Sequence, residues 1–317
     1  MLPTRYYLLS TLYFLAPSVN AQTYIATHFD NDLLYFPQND DRDYTHGQGL
    51  LINWQRKRQG NIQRFATLKT AVKLYTPDNL KATKPSRRDR PYASLLNFQA
   101  HSWRLNQRKA RLWENRAELG FMGLQFPTQF QVKAHAMTRN LRESNFPAHP
   151  EGWHTQISEG GEPTFNLATN LRQGIGIKLL PRFLQFSSQS EVQLGSQSQL
   201  FQGLGLRIGK IRSTQWVPAS RPDVSLPIKG ESEWFFYTQG GLRYQLYNAL
   251  LQGQFRDSYY VIPAHRLKRK VWEAELGAVY RGSHFHTGYG LHLGSTEFER
   301  SRHSMHYWGV IFVGWHL

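Results

Sequence analysis

The feature that most limits how this chain can fold is a repeated segment of about ten residues in which apolar side chains occupy every second position. Residues that favour turns separate the segments, as they do between the strands of a sheet. A strand that crosses a bilayer at a tilt needs roughly 9–11 residues. The twelve segments are Thr23–Asp30, Thr45–Trp54, Ala66–Tyr75, Tyr92–Arg104, Ala110–Leu124, Phe165–Leu179, Phe183–Gly195, Leu200–Ile211, Glu233–Leu250, Lys270–Tyr280, His284–Leu293 and Met305–Leu317. The pattern predicts an all-β fold, an antiparallel transmembrane β-barrel of about twelve strands.

The beginning of the chain has the pattern of a secretory signal. Arg5 supplies a positive charge, the apolar stretch Tyr6–Leu15 follows, and Val19-Asn20-Ala21 resembles a cleavage site. The apolar stretch is too short to cross a bilayer as a helix, which needs roughly 20 residues. We therefore predict a signal peptide over residues 1–21 and a barrel domain over residues 22–317, located in the bacterial outer membrane.

Composition narrows the class of protein further. Beyond residue 21 there is no run of about 18 apolar residues, so the sequence excludes helical membrane spans. The chain has no cysteine, which excludes a disulfide framework and a cysteine nucleophile. Its formal net charge of +16 requires an anionic partner. An exported chain is not expected to meet nucleic acid, so phosphate-bearing glycolipid at the cell surface is the better candidate.

The even number of strands determines which connections share an end of the barrel. Both termini are then expected on the periplasmic side, and the connections after odd strands become the surface loops, which are usually longer. The segments Asn31–Tyr44, Thr76–Pro91 and Gln125–Thr164 fit this expectation. Arg212–Ser232 does not, because it is long and yet predicted to be periplasmic. Either a strand is missed there or this inner loop is unusual.

A short helix is predicted within the third surface loop. Pro127 suits the first turn of a helix, and Phe130–Met137 contains few β-branched residues. Gln131 and His135 are four residues apart, so they would face the same side of this helix. His135 is then either a catalytic base or one of the many histidines that have a structural role.

Two polar clusters are expected to meet across the first hairpin. Asp30-Asn31-Asp32 ends the first strand, and Asp43-Tyr44-Thr45-His46-Gly47 opens the second. Together they offer carboxylate, amide and hydroxyl oxygens, the ligands that hard cations prefer, although Asp and Asn are also common turn residues. Basic residues in the second surface loop either receive phosphates or form a solvated run of charge. These basic residues are Lys81, Lys84, Arg87, Arg88 and Arg90.

The first half of the mature chain contains an ordered set of short motifs. They are Phe29-Asp30-Asn31-Asp32, Asp41-x-x-Tyr44-Thr45-x-Gly47, Asp89-Arg90-Pro91-Tyr92-Ala93, Gly120-x-x-Gly123, Gln131-x-x-x-His135 and Gly152-Trp153-x-x-Gln156. This set resembles the signature of the outer-membrane lipid A 3-O-deacylases, a family that usually has Glu at the position of Asp30. The resemblance implies a twelve-stranded barrel whose site lies between the wall and a helix in a surface loop.

The resemblance also implies an activity and roles for individual residues. It implies calcium-dependent hydrolysis of the 3-linked acyloxyacyl group of lipid A at a site facing the outer leaflet. By matching position, Asn31, Asp32 and Thr45 belong to the Ca²⁺ and substrate site. His135 is the implied general base that activates water, and Gln131 lines the same face of the helix.

A supporting glutamate follows the helix histidine in the family. Glu143, Glu151 and Glu159 compete for that place here, and Glu143 is favoured because it is nearest to His135. Gln38, in the first loop, is a further residue expected to point toward the site. The implied partners are lipid A of lipopolysaccharide, the outer-membrane bilayer and, during biogenesis, the barrel-assembly machinery.

Two other functions stay open at this point. A barrel of about twelve strands with inward basic residues could be a small anion-selective porin. It could also be a non-catalytic barrel that binds lipopolysaccharide through its basic loops. A pore would not need Asn31, Asp32 and Thr45 together with His135, and a passive binder would not depend on His135.

Overall fold

In the computed structural model, twelve antiparallel strands form a closed barrel. The structure describes residues 23–35, 43–80, 83, 89–129, 131–133, 150–176, 183–213 and 232–317. The strands are β1 (Thr23–Asn31), β2 (Asp43–Gln59), β3 (Ile62–Thr76), β4 (Ala93–Asn106), β5 (Arg111–Met122), β6 (Glu162–Ile175), β7 (Leu184–Gly195), β8 (Gln197–Lys210), β9 (Glu233–Asn248), β10 (Lys270–Arg281), β11 (Phe285–Ser295) and β12 (Met305–His316). Each strand pairs with its sequence neighbours, and β1 pairs with β12 to close the wall. The predicted all-β class and the predicted number of strands are confirmed.

Short helical segments lie in the long connections. β9 ends two residues before the predicted boundary because a helical turn, Ala249–Gln252, follows it. The Asn248 side chain accepts a hydrogen bond from the Leu250 backbone N–H and so caps this turn. In the connection between β5 and β6, residues 128–129 and 131–133 are helical, directly after Pro127 as the sequence predicted. No helix within the described residues is both long enough and apolar enough to cross a membrane.

Successive side chains along each strand alternate between the lumen and the exterior of the barrel. In β5 this alternation is strict. Trp113 and Leu119 are exposed on the outside, whereas Glu114, Arg116 and Glu118 are buried inside. An apolar exterior around a charged interior is the reverse of a water-soluble protein and is expected for a barrel surrounded by lipid.

Exposed aromatic side chains form two rings around the barrel. We call the end that carries Thr23 and Leu317 the terminal end, and the opposite end the outer end. The ring near the terminal end contains Trp113, Trp234, Tyr280, Phe285 and Trp315. The ring near the outer end contains Phe121, Phe165, Tyr244 and Trp272. Members of the two rings on one strand are about eight to ten residues apart, which is roughly 20–25 Å across a tilted strand and matches the apolar band of an outer-membrane barrel.

The long segment between β8 and β9 is a connection at the terminal end. The twelve described strands close the barrel by themselves, so the wall needs no further strand between β8 and β9, and both ends of this connection lie at the terminal end. Its first residues are held in the mouth of the barrel. The backbone N–H groups of Arg212 and Ser213 donate to Glu233 at 2.9 and 2.7 Å, and the Arg207 guanidinium donates to the Ser213 carbonyl.

Charged side chains line the middle of the lumen. Arg116 lies 3.2 Å from Glu114, 2.6 Å from Glu118 and 3.2 Å from Glu191, so strands β5 and β7 are joined through one guanidinium. An unpaired charge buried in this way would be strongly unfavourable, whereas paired and hydrogen-bonded charges are tolerated. In the outer half of the lumen these groups border a polar cavity of about 300 Å³.

Removing the carboxylate of Glu233 is expected to destabilise the barrel. Glu233 lies 2.9 Å from Arg281, and both side chains are almost fully buried. Breaking a buried ion pair from one side costs about 3–5 kcal/mol, so Glu233→Ala should lower the free energy of unfolding by about that amount. A urea titration of the barrel in detergent, followed by the gel mobility of the folded form, measures this change.

Asp78→Ala is the matched control for that titration. Asp78 pairs with Arg302 at 3.6 Å, and both side chains are substantially exposed. Exposed pairs contribute less than about 1 kcal/mol. Equal losses of stability in the two variants would contradict the importance of the buried pair.

Candidate functional site at the outer end

The three residues predicted to hold a cation lie together at the outer end of the barrel. Asn31 is the last residue of β1, Asp32 follows it, and Thr45 is the third residue of β2. Asn31 Nδ2 donates a hydrogen bond to the Thr45 backbone carbonyl at 2.8 Å. All three residues are buried, at 1 to 7 % exposure. The hairpin therefore brings these residues together as predicted, and their role as ligands stays a prediction.

This cluster lies on the outer face of the barrel wall. Tyr75 lines the lumenal cavity, so its neighbour Thr76 faces outward. The Thr45 hydroxyl lies 2.9 Å from the Thr76 hydroxyl, which places Thr45 on the outside. Asn31 also faces outward, because its neighbour Asp30 lines the cavity. Asn31 and Thr45 therefore lie on the outer side of the wall and not in the lumen.

The connection between β5 and β6 packs over the same outer face. Leu74 of β3 forms a buried cluster with Tyr92 and Trp153. Trp153 Nε1 donates to Gln131 Oε1 at 3.2 Å, so the helical residues around Gln131 are held against the wall beside the polar cluster. Gln131 itself is buried. Three other predicted residues, His135, Glu143 and Gln38, lie outside the described residues.

Gln156 fastens this connection to the barrel. Its amide nitrogen donates to the Gly123 carbonyl at 3.2 Å and to Glu159 at 2.6 Å, and its amide oxygen accepts from the Ser94 hydroxyl at 2.8 Å. Gly123 has a φ of 78°, and a Cβ there would lie 1.9 Å from the Ser158 carbonyl oxygen. The motifs Gly120-x-x-Gly123 and Gly152-Trp153-x-x-Gln156 therefore hold the loop in place. Glu159, one of the three glutamates considered for the supporting role, is part of this anchor.

Arg90 does not belong to a basic surface group. It is 2 % exposed, and its Nη1 lies 2.6 Å from the carboxylate of Glu297, in the connection between β11 and β12. Burial raises the pKa of Glu297, but the charges of Arg90 and Arg243 lower it more, to about 2. Arg90 was predicted either to receive phosphate or to belong to a solvated run of charge. Both predictions are wrong for this residue, because its guanidinium is buried in an ion pair with Glu297. The other four basic residues of that loop, Lys81, Lys84, Arg87 and Arg88, lie outside the described residues.

The donor atoms at the outer face fit a hard cation. On that face are the amide oxygen of Asn31 and the oxygens of Thr45, and the carboxylate of Asp32 follows directly after Asn31 in the chain. Oxygen donors of this kind suit Ca²⁺, whereas zinc sites use mainly nitrogen and sulfur. Within the described part of the chain, no three His, Asp or Glu side chains are placed to hold a metal ion. A cation here would therefore depend on amide, hydroxyl and backbone oxygens as well as on a carboxylate.

Sequence reasoning missed two residues of this region. Thr76 ends β3 at the outer end, and the strand parity that placed Thr45 there could also have placed Thr76. Trp153 belongs to a recognised motif, but its contact with Gln131 joins residues 22 positions apart in an irregular connection. No periodic pattern signals such a contact.

The closed twelve-stranded barrel, with its aromatic rings, apolar exterior and charged lumen, defines a class. The protein is a bacterial outer-membrane β-barrel. A family model described as Outer membrane protein LpxR matches residues 6–317. The chain belongs to this family.

Solved structures show similarity at the level of the fold. The structure of LpxR from Salmonella typhimurium matches with a TM-score of 0.74 and 15% sequence identity, over 93% of this chain and 100% of that chain. The beta domain of the Bordetella autotransporter Brka reaches a TM-score of 0.47 at 11% identity, over 93% of this chain and 98% of that chain. No curated protein sequence matches the chain.

Gln156→Ala is expected to loosen the connection between β5 and β6 without unfolding the barrel. The substitution removes three hydrogen bonds to the anchor, each contributing about 0.5–1.5 kcal/mol. Trypsin cleavage at Lys133, an exposed helical residue of the connection, should then be at least about tenfold faster. Gln173→Ala, which removes bonds at the terminal end, serves as the control. Unchanged cleavage in Gln156→Ala would show that the anchor does not hold the loop.

Proposed function

We propose that this chain is a calcium-dependent outer-membrane hydrolase that removes the 3-O-linked acyloxyacyl group from lipid A. The observation that carries the proposal is the position of Asn31 and Thr45 on the outer face of the wall, beside the helical residues around Gln131. A lipid of the outer leaflet reaches the outside of a barrel and not its lumen. Membership of the family and the motif resemblance support the same activity.

The mechanism follows from the chemistry of these residues. Asn31, Asp32 and Thr45 would hold Ca²⁺, which would supply positive charge to stabilise the oxyanion of the ester. His135 removes a proton from water, whose oxygen forms a bond to the carbonyl carbon. The bond between that carbon and the sugar 3-oxygen then breaks, and His135 returns the proton to the sugar oxygen. No nucleophile from the protein is needed.

Two further residues have supporting roles in this proposal. Gln131 lies four residues before His135, so the two would share a face if the helix continues, and the hydrogen bond from Trp153 holds Gln131 against the wall. Glu143 is proposed to orient His135 or to stabilise its charged form. The barrel-assembly machinery is the proposed partner during insertion, since the protein is an outer-membrane barrel and β12 alternates apolar and aromatic residues.

The lumen of the described barrel argues against the porin alternative. Arg116 pairs with three carboxylates of β5 and β7 along the inner wall, and Arg243 contacts Glu297 and Glu273 at 3.1 and 3.5 Å nearer the outer end. These pairs neutralise basic groups that would otherwise attract anions into a channel. The two remaining candidates differ in the lipid A they leave in the membrane. A non-catalytic binding barrel predicts unmodified lipid A, whereas the enzyme predicts lipid A that has lost one acyloxyacyl unit.

Mass spectrometry of lipid A from outer membranes that contain this protein tests the activity. We expect loss of one acyloxyacyl unit in the presence of Ca²⁺ and no loss after chelation. His135→Ala should lower the rate by about 10²–10⁴-fold, the usual contribution of a general base. His284→Ala is the matched control, since His284 is exposed at the terminal end and should leave the rate unchanged. Unmodified lipid A in membranes with folded protein would favour the binding barrel.

The Ca²⁺ requirement gives a second test. Asp32→Asn removes one negative charge from the proposed ion site, so the Ca²⁺ concentration for half-maximal activity should rise by about tenfold or more. Asp257→Asn, at an exposed position of the connection between β9 and β10, is the control. If both variants require the same Ca²⁺ concentration as the unmodified protein, Asp32 is not a ligand.

A further inference from the structure

The strand that carries Thr45 contains a bulge at that residue. Tyr44 pairs with Tyr75 of β3 and His46 pairs with Leu74, so Thr45 is an extra residue without a partner position on β3. Farther along β2, Gly47 faces the lumen, where a Cβ would meet the side chains of Asp30 and Tyr44. Counting back in steps of two from Gly47, a regular strand would turn Thr45 into the lumen and Tyr44 outward. The bulge exchanges the two directions.

A buried hydrogen bond on the lumenal side holds this exchange. The Tyr44 hydroxyl donates to Asp30 Oδ2 at 2.8 Å, and both residues are 8 % exposed. The Tyr44 hydroxyl lies directly over Gly47, where a Cβ would be only 1.9 Å away. The absence of a side chain at Gly47 is therefore what allows Tyr44 to reach Asp30.

The residues of the lumenal hydrogen bond are the immediate sequence neighbours of the residues that bond on the outer face. Asp30 and Tyr44 bond inside the barrel at 2.8 Å, and the next residues, Asn31 and Thr45, bond outside it at 2.8 Å. Turning Tyr44 out of the lumen would carry the Thr45 carbonyl away from the Asn31 amide, because the backbone joins them. The two hydrogen bonds thus support each other through the wall.

We propose that Asp30 and Tyr44 are positioning residues, whose lumenal hydrogen bond fixes the bulge that presents Thr45 and Asn31 to the ester and the cation on the outer face. This inference rests on the proposed function for its consequence in catalysis. Its structural part, the control of Thr45 by Tyr44, does not. The proposal also explains why Tyr44 and Gly47 occur with Thr45 in one motif, although neither lies on the outer face.

Tyr44→Phe is the main test, because it removes one hydroxyl and keeps the ring. We expect kcat to fall by about 10- to 100-fold, as for a small misplacement of reacting groups, with little change in KM. Calorimetric titration of metal-free protein with Ca²⁺ in detergent should show about tenfold weaker binding. Asp30→Ala should reproduce both effects, and Asp30→Glu, which keeps the acceptor, should restore most of the activity.

Tyr237→Phe is the matched control. The Tyr237 hydroxyl donates to Glu275 at 2.5 Å in the lumen between β9 and β10, so its loss removes the same kind of buried bond on strands that do not pair with β1 or β2. This variant should keep kcat and Ca²⁺ binding even if it loses stability. Equal losses of kcat in Tyr44→Phe and Tyr237→Phe would reduce the role of Tyr44 to stability and overturn the proposal.

A crystal structure of Tyr44→Phe separates this inference from the proposed activity. We expect the bulge to shift and the Asn31 Nδ2 to Thr45 carbonyl contact to be lost. If that contact is kept, the positioning role is overturned, whatever the activity. If the unmodified protein does not deacylate lipid A but the contact is lost in the variant, the activity is wrong and the structural inference stands.

Discussion

The closed wall leaves every strand residue two directions, toward lipid or toward the lumen, and the rest of the structure depends on this constraint. It places apolar and aromatic side chains outside and charged ones inside, strand after strand. A regular strand cannot present two successive side chains to the same face. An outer polar cluster therefore needs strand ends or an irregular position. Asn31 and Asp32 use the end of β1, and Thr45 uses a bulge.

In the lumen, the buried charges are neutralised by one another. Arg116 satisfies three carboxylates, and Arg281 pairs with Glu233 where the long connection enters the barrel. Such pairs contribute little net stability when complete and are costly to break. A rigid interior can in turn hold the wall on which the outer cluster depends. The hydrogen bond between Asp30 and Tyr44 connects the two, because these lumenal residues are the chain neighbours of Asn31 and Thr45.

The sequence predicted those features that follow from periodicity and parity. Alternation gave the twelve strands, and parity put Asn31, Asp32 and Thr45 at one end and the loop with Gln131 at the same end. Contacts between distant residues could not be predicted in this way. Arg90 and Glu297 are separated by 207 positions, and nothing in the local pattern of Arg90 distinguishes a lumenal ion pair from a surface charge. The bulge at Thr45 was also hidden, since one inserted residue reverses the faces of its neighbours without changing the composition.

The residues of the short motifs in the first half of the chain fall into groups according to their position on the barrel wall. Asn31, Asp32 and Thr45 lie at the outer cluster, whereas Asp30, Tyr44 and Gly47 fix the backbone from the lumen. Gln156 and Gly123 fix the connection that carries Gln131.

This division explains how Asp can stand at position 30, where the family usually has Glu. A residue that acts through Tyr44 needs only an acceptor within reach of one hydroxyl, so a shorter side chain can serve if the tyrosine lies close. A residue that contacts the ester itself would not tolerate such a change in reach.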